Sequence, residues 1–551
     1  MRARSASLTL ALLGALAFQV VPGSSAVAAP LSCESMVSLR LSKTTLAVQS
    51  IYAEAFAPSA EIPRFPVSPF CRVSGVSQPA AGSRIGFELW MPKADWNGRL
   101  KMLGNGGYSS ALPYAEMGAQ LKQGYAVVAT DTGHTGDSPD FAKDQPEAIV
   151  DWGYRAVHLT ALNAKRLVTA FYGRGARYSY FQGCSTGGHQ ALMEAQRFPE
   201  DFDGIVAGAP GNNRTHLTAA FLWQFVQNQT RGAEPRQIVP ARKLALLSKA
   251  VLSACKSQNG PPAGGLASDP FLNDPLSCNF DPATLACASA ETDECLTTEQ
   301  VTALKRMYAG AQNPRTGEQI YFGWPPGSEA STDARGGWSL YWADPQDPTS
   351  PARADFWRYW AFKDRNWTWQ RFDFDRDMQR ADDELAPVIN AMNANLEKFR
   401  KRGGKLIQYH GMADPVTPFA DSIAYQQRVV VDQLQARGLA YLEDATRTTG
   451  EFYRLFLAPG LGHCQGGAGA EPKDMQQAIE NWVERGEAPN WLLATRGAGG
   501  VAGKGFSRPL CPYPQVARYN GSGAPDDAGS FTCAAPTRAM VIPRVASEYL
   551  R

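Results

Sequence analysis

Six short apolar runs constrain this chain more than any other feature: residues 100–103, 125–129, 178–181, 205–207, 406–409 and 455–458. Each has a glycine shortly after it and then gives way to a helical pattern. Strands buried on both faces read as continuous apolar runs rather than as alternation, and such strands belong to parallel sheets covered by helices. Helical stretches at 187–197 and 475–485 complete the alternation, which predicts βαβ units and a mostly parallel α/β sheet. The rhythm breaks from 212 to 389. That segment holds a Pro/Gly/Asn stretch at 259–275 and four of the ten cysteines, and seven of the thirteen tryptophans cluster in it between 324 and 369. We read it as an insertion, which divides the chain into a leader (1–29), a first core part (30–211), a lid (212–389) and a second core part (390–551).

The leader is read from Arg2 and Arg4, the apolar stretch 8–21, then Pro22-Gly23 and small residues up to Ala29. This is the pattern of a secretory signal peptide, cut after Ala28 or Ala29. The apolar stretch falls short of the roughly 20 residues that a membrane anchor needs. The expected location is therefore secreted or periplasmic. With 54 basic and 52 acidic residues the formal charge is +2, and loss of Arg2 and Arg4 brings it to zero. No basic surplus remains to offset phosphates, so nucleic acid and anionic membrane surfaces are not expected partners. In an oxidising compartment, ten cysteines predict disulfides, and the lack of any Cys-x-x-Cys argues against a zinc ribbon or a thioredoxin-like site. Spacing marks Cys287 with Cys295, and Cys511 with Cys533, as local loops.

Chemistry concentrates where Gly183-Cys184-Ser185-Thr186-Gly187 follows one apolar run and precedes a helical stretch. This is the pattern of a nucleophile elbow: the glycines permit a tight turn, the serine hydroxyl stands exposed, and the N–H of Thr186 faces a developing oxyanion. The serine needs a base, and the chain offers only His134, His158, His189, His216, His410 and His463. On sheets of this kind the order is serine, acid, histidine. Asp414 follows the run that ends near His410, which makes it the orienting carboxylate, and only His463 comes after it. A second oxyanion donor is expected from Gly106 or Gly107 in the glycine-rich loop after residue 103. Cys184 directly precedes Ser185 and Cys464 directly follows His463. If serine and histidine meet, their neighbours, about 3.8 Å along the chain, can reach disulfide separation.

Gly-Cys-Ser-Thr-Gly-Gly (183–188), His-Gly-x-x-Asp-Pro-x-Thr-Pro (410–418) and Gly-His-Cys (462–464) together resemble the tannase and feruloyl esterase family. The similarity runs over nearly the whole mature chain, including 280–285. It implies an α/β fold: an α/β-hydrolase core with a mostly parallel sheet and a large inserted lid. It also implies the triad Ser185, Asp414 and His463, and disulfides pairing Cys184 with Cys464, Cys33 with Cys71, Cys255 with Cys278, Cys287 with Cys295, and Cys511 with Cys533. The implied activity is that of a serine esterase acting on small esters of aromatic acids (feruloyl, galloyl or terephthalate monoester) through an acyl-enzyme. The alternatives are a hydrolase of other small esters or amides, and an inactive binding protein on the same scaffold.

One departure concerns calcium, which often occupies the family's lid through a loop beginning Cys-Asp. Here the loop reads Cys255-Lys256-Ser257-Gln258-Asn259, where lysine and asparagine replace the first two carboxylates. No cofactor or metal is therefore expected, with Asp269 and Asp274 the remaining carboxylates for a rearranged site. For the acyl pocket, Trp324, Trp338 and Trp342 are the candidate wall, with lid core as the alternative use of these rings. Arg335 is the candidate partner for a free carboxylate on a diacid monoester.

Overall fold

The computed structural model describes residues 29–230, 232, 234–256, 265–330, 337–344, 347–498 and 505–545. The expected leader, apart from Ala29, and Arg335 lie outside the described residues. The central sheet has nine strands: β1 (Thr44–Ile51), β2 (Phe70–Ser77), β3 (Ile85–Pro92), β4 (Arg99–Leu103), β5 (Ala126–Thr130), β6 (Tyr178–Cys184), β7 (Gly204–Gly208), β8 (Lys405–Gly411) and β9 (Tyr453–Ala458). Their order across the sheet is β1-β2-β3-β5-β4-β6-β7-β8-β9. β1, β2 and β3 pair antiparallel, and β3 joins β5 antiparallel. Every pairing from β5 to β9 is parallel. This is the α/β-hydrolase fold.

The six apolar runs became β4 to β9, and the reason for their continuous character is visible in the packing. Phe181, Ile205 and Leu406 point into one core with α2 (Ala156–Tyr172) and α3 (Thr186–Arg197). Their neighbours Tyr180, Val206 and Ile407 point to the opposite side, against Ile479 and Trp482 of a helix at Met475–Arg485. Both faces are covered, so both strand phases are mostly apolar, with Lys101, Ser179 and Gln408 as buried polar exceptions. The antiparallel strands carry a weaker signal. β1 alternates half-buried with exposed residues, and β2 holds Gly75, whose missing side chain makes room for the Phe87 ring of β3.

Between β7 and β8 lie α4 (Arg214–Gln227), α5 (Leu244–Cys255), α6 (Thr298–Ala309) and α7 (Arg376–Ile389). Two aromatic cores form here. Trp324, Trp338 and Trp342 pack with Phe225, Leu247 and Leu304 in one. In the other, Trp357, Trp360 and Phe221 pack with Tyr108 and Val416 from loops after central strands and with Trp152 from the helical turn Asp151–Arg155 that leads into α2. The second core welds the insertion to the sheet. Five disulfides pair Cys33–Cys71, Cys184–Cys464, Cys255–Cys278, Cys287–Cys295 and Cys511–Cys533. Among the described residues, no helix is long and apolar enough to cross a membrane.

Candidate active site

Ser185 sits between β6 and α3 with φ 63° and ψ −118°, a conformation that a non-glycine residue holds only when its surroundings enforce it. Here the enforcement is close packing. A Cβ on Gly183 would lie 2.6 Å from the Gly187 Cα, and one on Gly188 would lie 2.2 Å from the Gly208 carbonyl oxygen. Those glycines let strand, helix and the neighbouring strand end approach, and the Ser185 N–H donates to Gly208 O at 2.9 Å.

The loop after β9 brings His463 to the serine: its Nε2 lies 2.8 Å from Ser185 Oγ, and its Nδ1 lies 2.8 Å from Asp414 Oδ2. A carboxylate only accepts, so Nδ1 carries the proton and Nε2 is free to accept from the serine hydroxyl. Asp414 is fully buried. Its Oδ1 accepts from the backbone N–H groups of Val416 (2.7 Å) and Thr417 (3.0 Å), and its Oδ2 accepts from Thr417 Oγ1 at 2.8 Å. Burial pushes its pKa up, but attraction to His463 when that ring is protonated and hydrogen bonds from His410 and His463 outweigh this and hold it below the usual carboxylate range. His410 supports this turn: its Nε2 donates to Thr417 O at 2.7 Å, leaving Nδ1 to accept from Ser422 Oγ at 2.7 Å. Cys184 and Cys464 are bonded with a Cα separation of 6.0 Å, clamping the elbow to the histidine loop.

Thr186 opens α3, so its N–H has no partner within the helix. Its Oγ1 donates to Gly107 O at 2.8 Å, which holds the loop after β4 against the elbow. That loop is also fixed by Gln190, whose Oε1 accepts from Asn105 N at 3.1 Å. A Cβ on Gly106 would meet nothing within 4 Å, so the loop has an open side there. The structure thus brings together Ser185, Thr186, Gly106, Gly107, Asp414 and His463.

A cavity of about 110 Å³ opens beside His463, lined by Leu252, Phe271, Ser328, Leu340, Val416 and Gln465, among others. Trp324, Trp338 and Trp342 do not line it, which corrects the expected wall. They are 2%, 0% and 3% exposed, because their faces are used up within the insertion: Trp338 lies 5.2 Å from Trp324 and 4.9 Å from Tyr308. Trp338 acts on the wall indirectly, since its indole N–H donates to Ser328 Oγ at 2.8 Å.

Two arginines near the elbow escaped the sequence reading. Arg214, the first residue of α4, donates from Nη2 to Thr186 Oγ1 at 2.8 Å. Arg353 reaches to 3.6 Å from the position of a Cβ on Gly107, with its guanidinium 5.3 Å from the Tyr108 ring centre. Arg214 follows a parallel strand's C-terminal end, where α/β sheets build their sites, and that position was its available signal. Asn213, the residue before it, is 1% exposed.

The two carboxylates left for a rearranged calcium site, Asp269 and Asp274, are already engaged by protein groups. Asp269 Oδ1 accepts from Arg508 Nη2 at 2.8 Å, and its Oδ2 accepts from Leu266 N and Asn273 Nδ2. Asp274 Oδ1 accepts from Leu276 N. A cation at Asp269 would have to displace the arginine that already neutralises it. Residues 257–264 of this loop lie outside the described residues.

Residues 71–534 match the profile of the family described as tannase and feruloyl esterase. An uncharacterized esterase of Xanthomonas campestris pv. campestris is 37% identical, covering 95% of this chain and 94% of its own. The mono(2-hydroxyethyl) terephthalate hydrolase of Piscinibacter sakaiensis is 34% identical, over 88% and 87%. The crystal structure of feruloyl esterase B from Aspergillus oryzae superposes with a TM-score of 0.79 at 26% identity, covering 91% of this chain and all of that one. A match over most of the length, on a sheet with this strand order, has one consequence: the chain belongs to the tannase and feruloyl esterase family of carboxylic ester hydrolases.

Proposed function

We propose that this protein is an exported serine esterase that hydrolyses esters of aromatic acids through an acyl-enzyme. The observation that carries the reading is the unbroken hydrogen-bonded chain from Ser185 Oγ through His463 to Asp414, beside the first-turn N–H of Thr186. His463 Nε2 takes the hydroxyl proton as Oγ attacks the ester carbonyl. The oxyanion is met by the N–H of Thr186 and a second N–H from Gly106 or Gly107. The ester C–O bond then breaks and the alcohol leaves with the proton from His463. Water, deprotonated by the same nitrogen, releases the acid and restores Ser185. Protein groups supply each of these steps, and we assign no cofactor.

The aromatic preference draws support from the names of the relatives and from the cavity beside His463, whose lining includes Leu252, Phe271 and Leu340. Arg353 favours acids with a second carboxylate within that class, because among the described residues no carboxylate pairs with it. Export is supported by the leader pattern and by the absence of free cysteines among the described residues. The test is hydrolysis of methyl ferulate, a gallate ester and a terephthalate monoester by the native protein and by Ser185→Ala, with a fluorophosphonate probe of Ser185. The expected result is labelling of the native protein, turnover of at least one ester, and a loss of at least 10³-fold in kcat in the variant. Retained turnover in Ser185→Ala would overturn the mechanism.

A further inference from the structure

Arg214 is 6% exposed, and among the described residues no carboxylate neutralises it. Its guanidinium lies over Trp152 at 5.1 Å and beside Tyr108 at 5.9 Å, and its Nε has no acceptor. Arg353, another cation, flanks the other approach to Tyr108. Burial lowers the Arg214 pKa, and the charge of Arg353 lowers it further. An uncompensated buried charge is costly, so its position calls for a compensating use.

Among the described residues its side chain makes one hydrogen bond, and that bond indicates the use. A threonine hydroxyl has one proton and rotates to suit its surroundings. Because Arg214 Nη2 occupies a lone pair of Thr186 Oγ1, the hydroxyl is left one favourable direction for its proton, toward Gly107 O. Arg214, Thr186 and Gly107 therefore form a relay that joins the first turn of α3 to the loop after β4. These are the two backbone segments that must supply N–H groups to one oxygen atom.

We propose that Arg214 is a positioning residue of the oxyanion hole, acting through Thr186 to hold the elbow and the 104–108 loop in register for the transition state. The assignment rests on the serine-esterase reading above. A hole whose two donors are held before reaction stabilises the tetrahedral intermediate without reorganisation. Loss of the relay therefore slows chemistry more than it weakens ground-state binding.

The test uses the full chain with Arg214→Met, Arg214→Lys, Thr186→Val, Thr186→Ser and the double variant Arg214→Met/Thr186→Val. Steady-state kinetics are measured on methyl ferulate and on a terephthalate monoester, with thermal unfolding alongside. The expected result for Arg214→Met and Thr186→Val is a fall in kcat of at least tenfold on both esters, with KM changed less than twofold. The double variant is expected to be no slower than the worse single variant, because both break one relay. The conservative variants Arg214→Lys and Thr186→Ser, which keep a donor and a hydroxyl, are expected to lose less.

Additive losses in the double variant would overturn the relay. A rise in KM confined to the terephthalate monoester, with kcat on methyl ferulate unchanged, would overturn it in favour of a clamp on the substrate carboxylate. A lower unfolding temperature with kcat unchanged would reduce Arg214 to a structural role. If Arg214→Met does not fold, the Thr186 pair and Arg214→Lys still decide the matter. Failure of the native protein to label at Ser185 would instead strike the esterase reading, a result distinct from all of these.

Discussion

Two buried carboxyl groups show how residue environment sets charge. Asp414 accepts from two backbone N–H groups, a threonine hydroxyl and a histidine, so it stays ionised despite full burial. Glu329, behind the wall segment formed by Gly327 and Ser328, is also fully buried. Its Oε1 accepts from Tyr308 Oη and Gly327 N, while its Oε2 has no partner among the described residues. Burial, only partly offset by these bonds, pushes its pKa from 4.5 to about 7. Below pH 4.5 the folded and unfolded states both hold this proton. Between 4.5 and 7 only the folded state does, so stability falls as pH rises, by roughly 3 kcal/mol in all, and levels off above pH 7. Glu329→Gln, which keeps the acceptor for Tyr308, is expected to remove this slope and raise the unfolding temperature at pH 8 relative to the native protein. Parallel temperature–pH profiles for the two proteins would show that Glu329 is ionised in the fold.

At the level of elements, the site depends on the end of β6, the first turn of α3 and the loop after β9, which belong to distant parts of the chain. The Cys184–Cys464 disulfide closes a sequence separation of 280 residues, for which the chain-entropy account gives roughly 5 kcal/mol as an upper figure. Its two ends adjoin the nucleophile and the base, so it constrains the reacting pair as well as the unfolded chain. The variant Cys184→Ala/Cys464→Ala is expected to unfold at lower temperature and also to turn over more slowly below its transition. Normal kcat in the folded variant would confine the disulfide to stability. A peptide map of unreduced native protein with both thiols free would reject the pairing outright.

Across the whole molecule, the insertion and the sheet share a core: Trp357, Trp360 and Phe221 pack with Tyr108, Trp152, Val416 and Ala420. Excising 212–389 would strip these core side chains of their cover, so selectivity is better probed at the cavity. Both Leu252 and Leu340 line it; Leu340 is exposed, whereas Leu252 is half-buried against Val251, Cys255 and Leu272, so thermal unfolding is followed alongside the kinetics. Leu252→Ala and Leu340→Ala are each expected to lower kcat/KM for methyl ferulate by roughly tenfold, the scale of a lost apolar contact at a pocket wall. Turnover of a small acetate ester should change little. Equal losses on both esters would mean that the insertion does not select the acyl group.

The sequence by itself determined the local events. Six mostly apolar runs read as strands covered on both faces, Gly-x-Ser-x-Gly between a run and a helix read as a sharp turn, and Asp414 and His463 could be ordered by position along the chain. Each of these is fixed by residues a few places apart, where periodicity and glycine placement act directly. The antiparallel strand β1 was hidden because it lies at the sheet edge, where half-buried and exposed residues alternate and only half of them need be apolar. The use of the tryptophans was decided in three dimensions. A ring that can line a pocket can equally fill a core, and Trp324, Trp338 and Trp342 were claimed by Tyr308, Leu304 and one another. Arg214 is the sharpest case: in sequence it is a polar residue, and only the packing of α4 against the elbow buries it and aims it at Thr186. Contacts between segments far apart in the chain carry no periodic trace in either segment, so the tertiary structure alone assigns them.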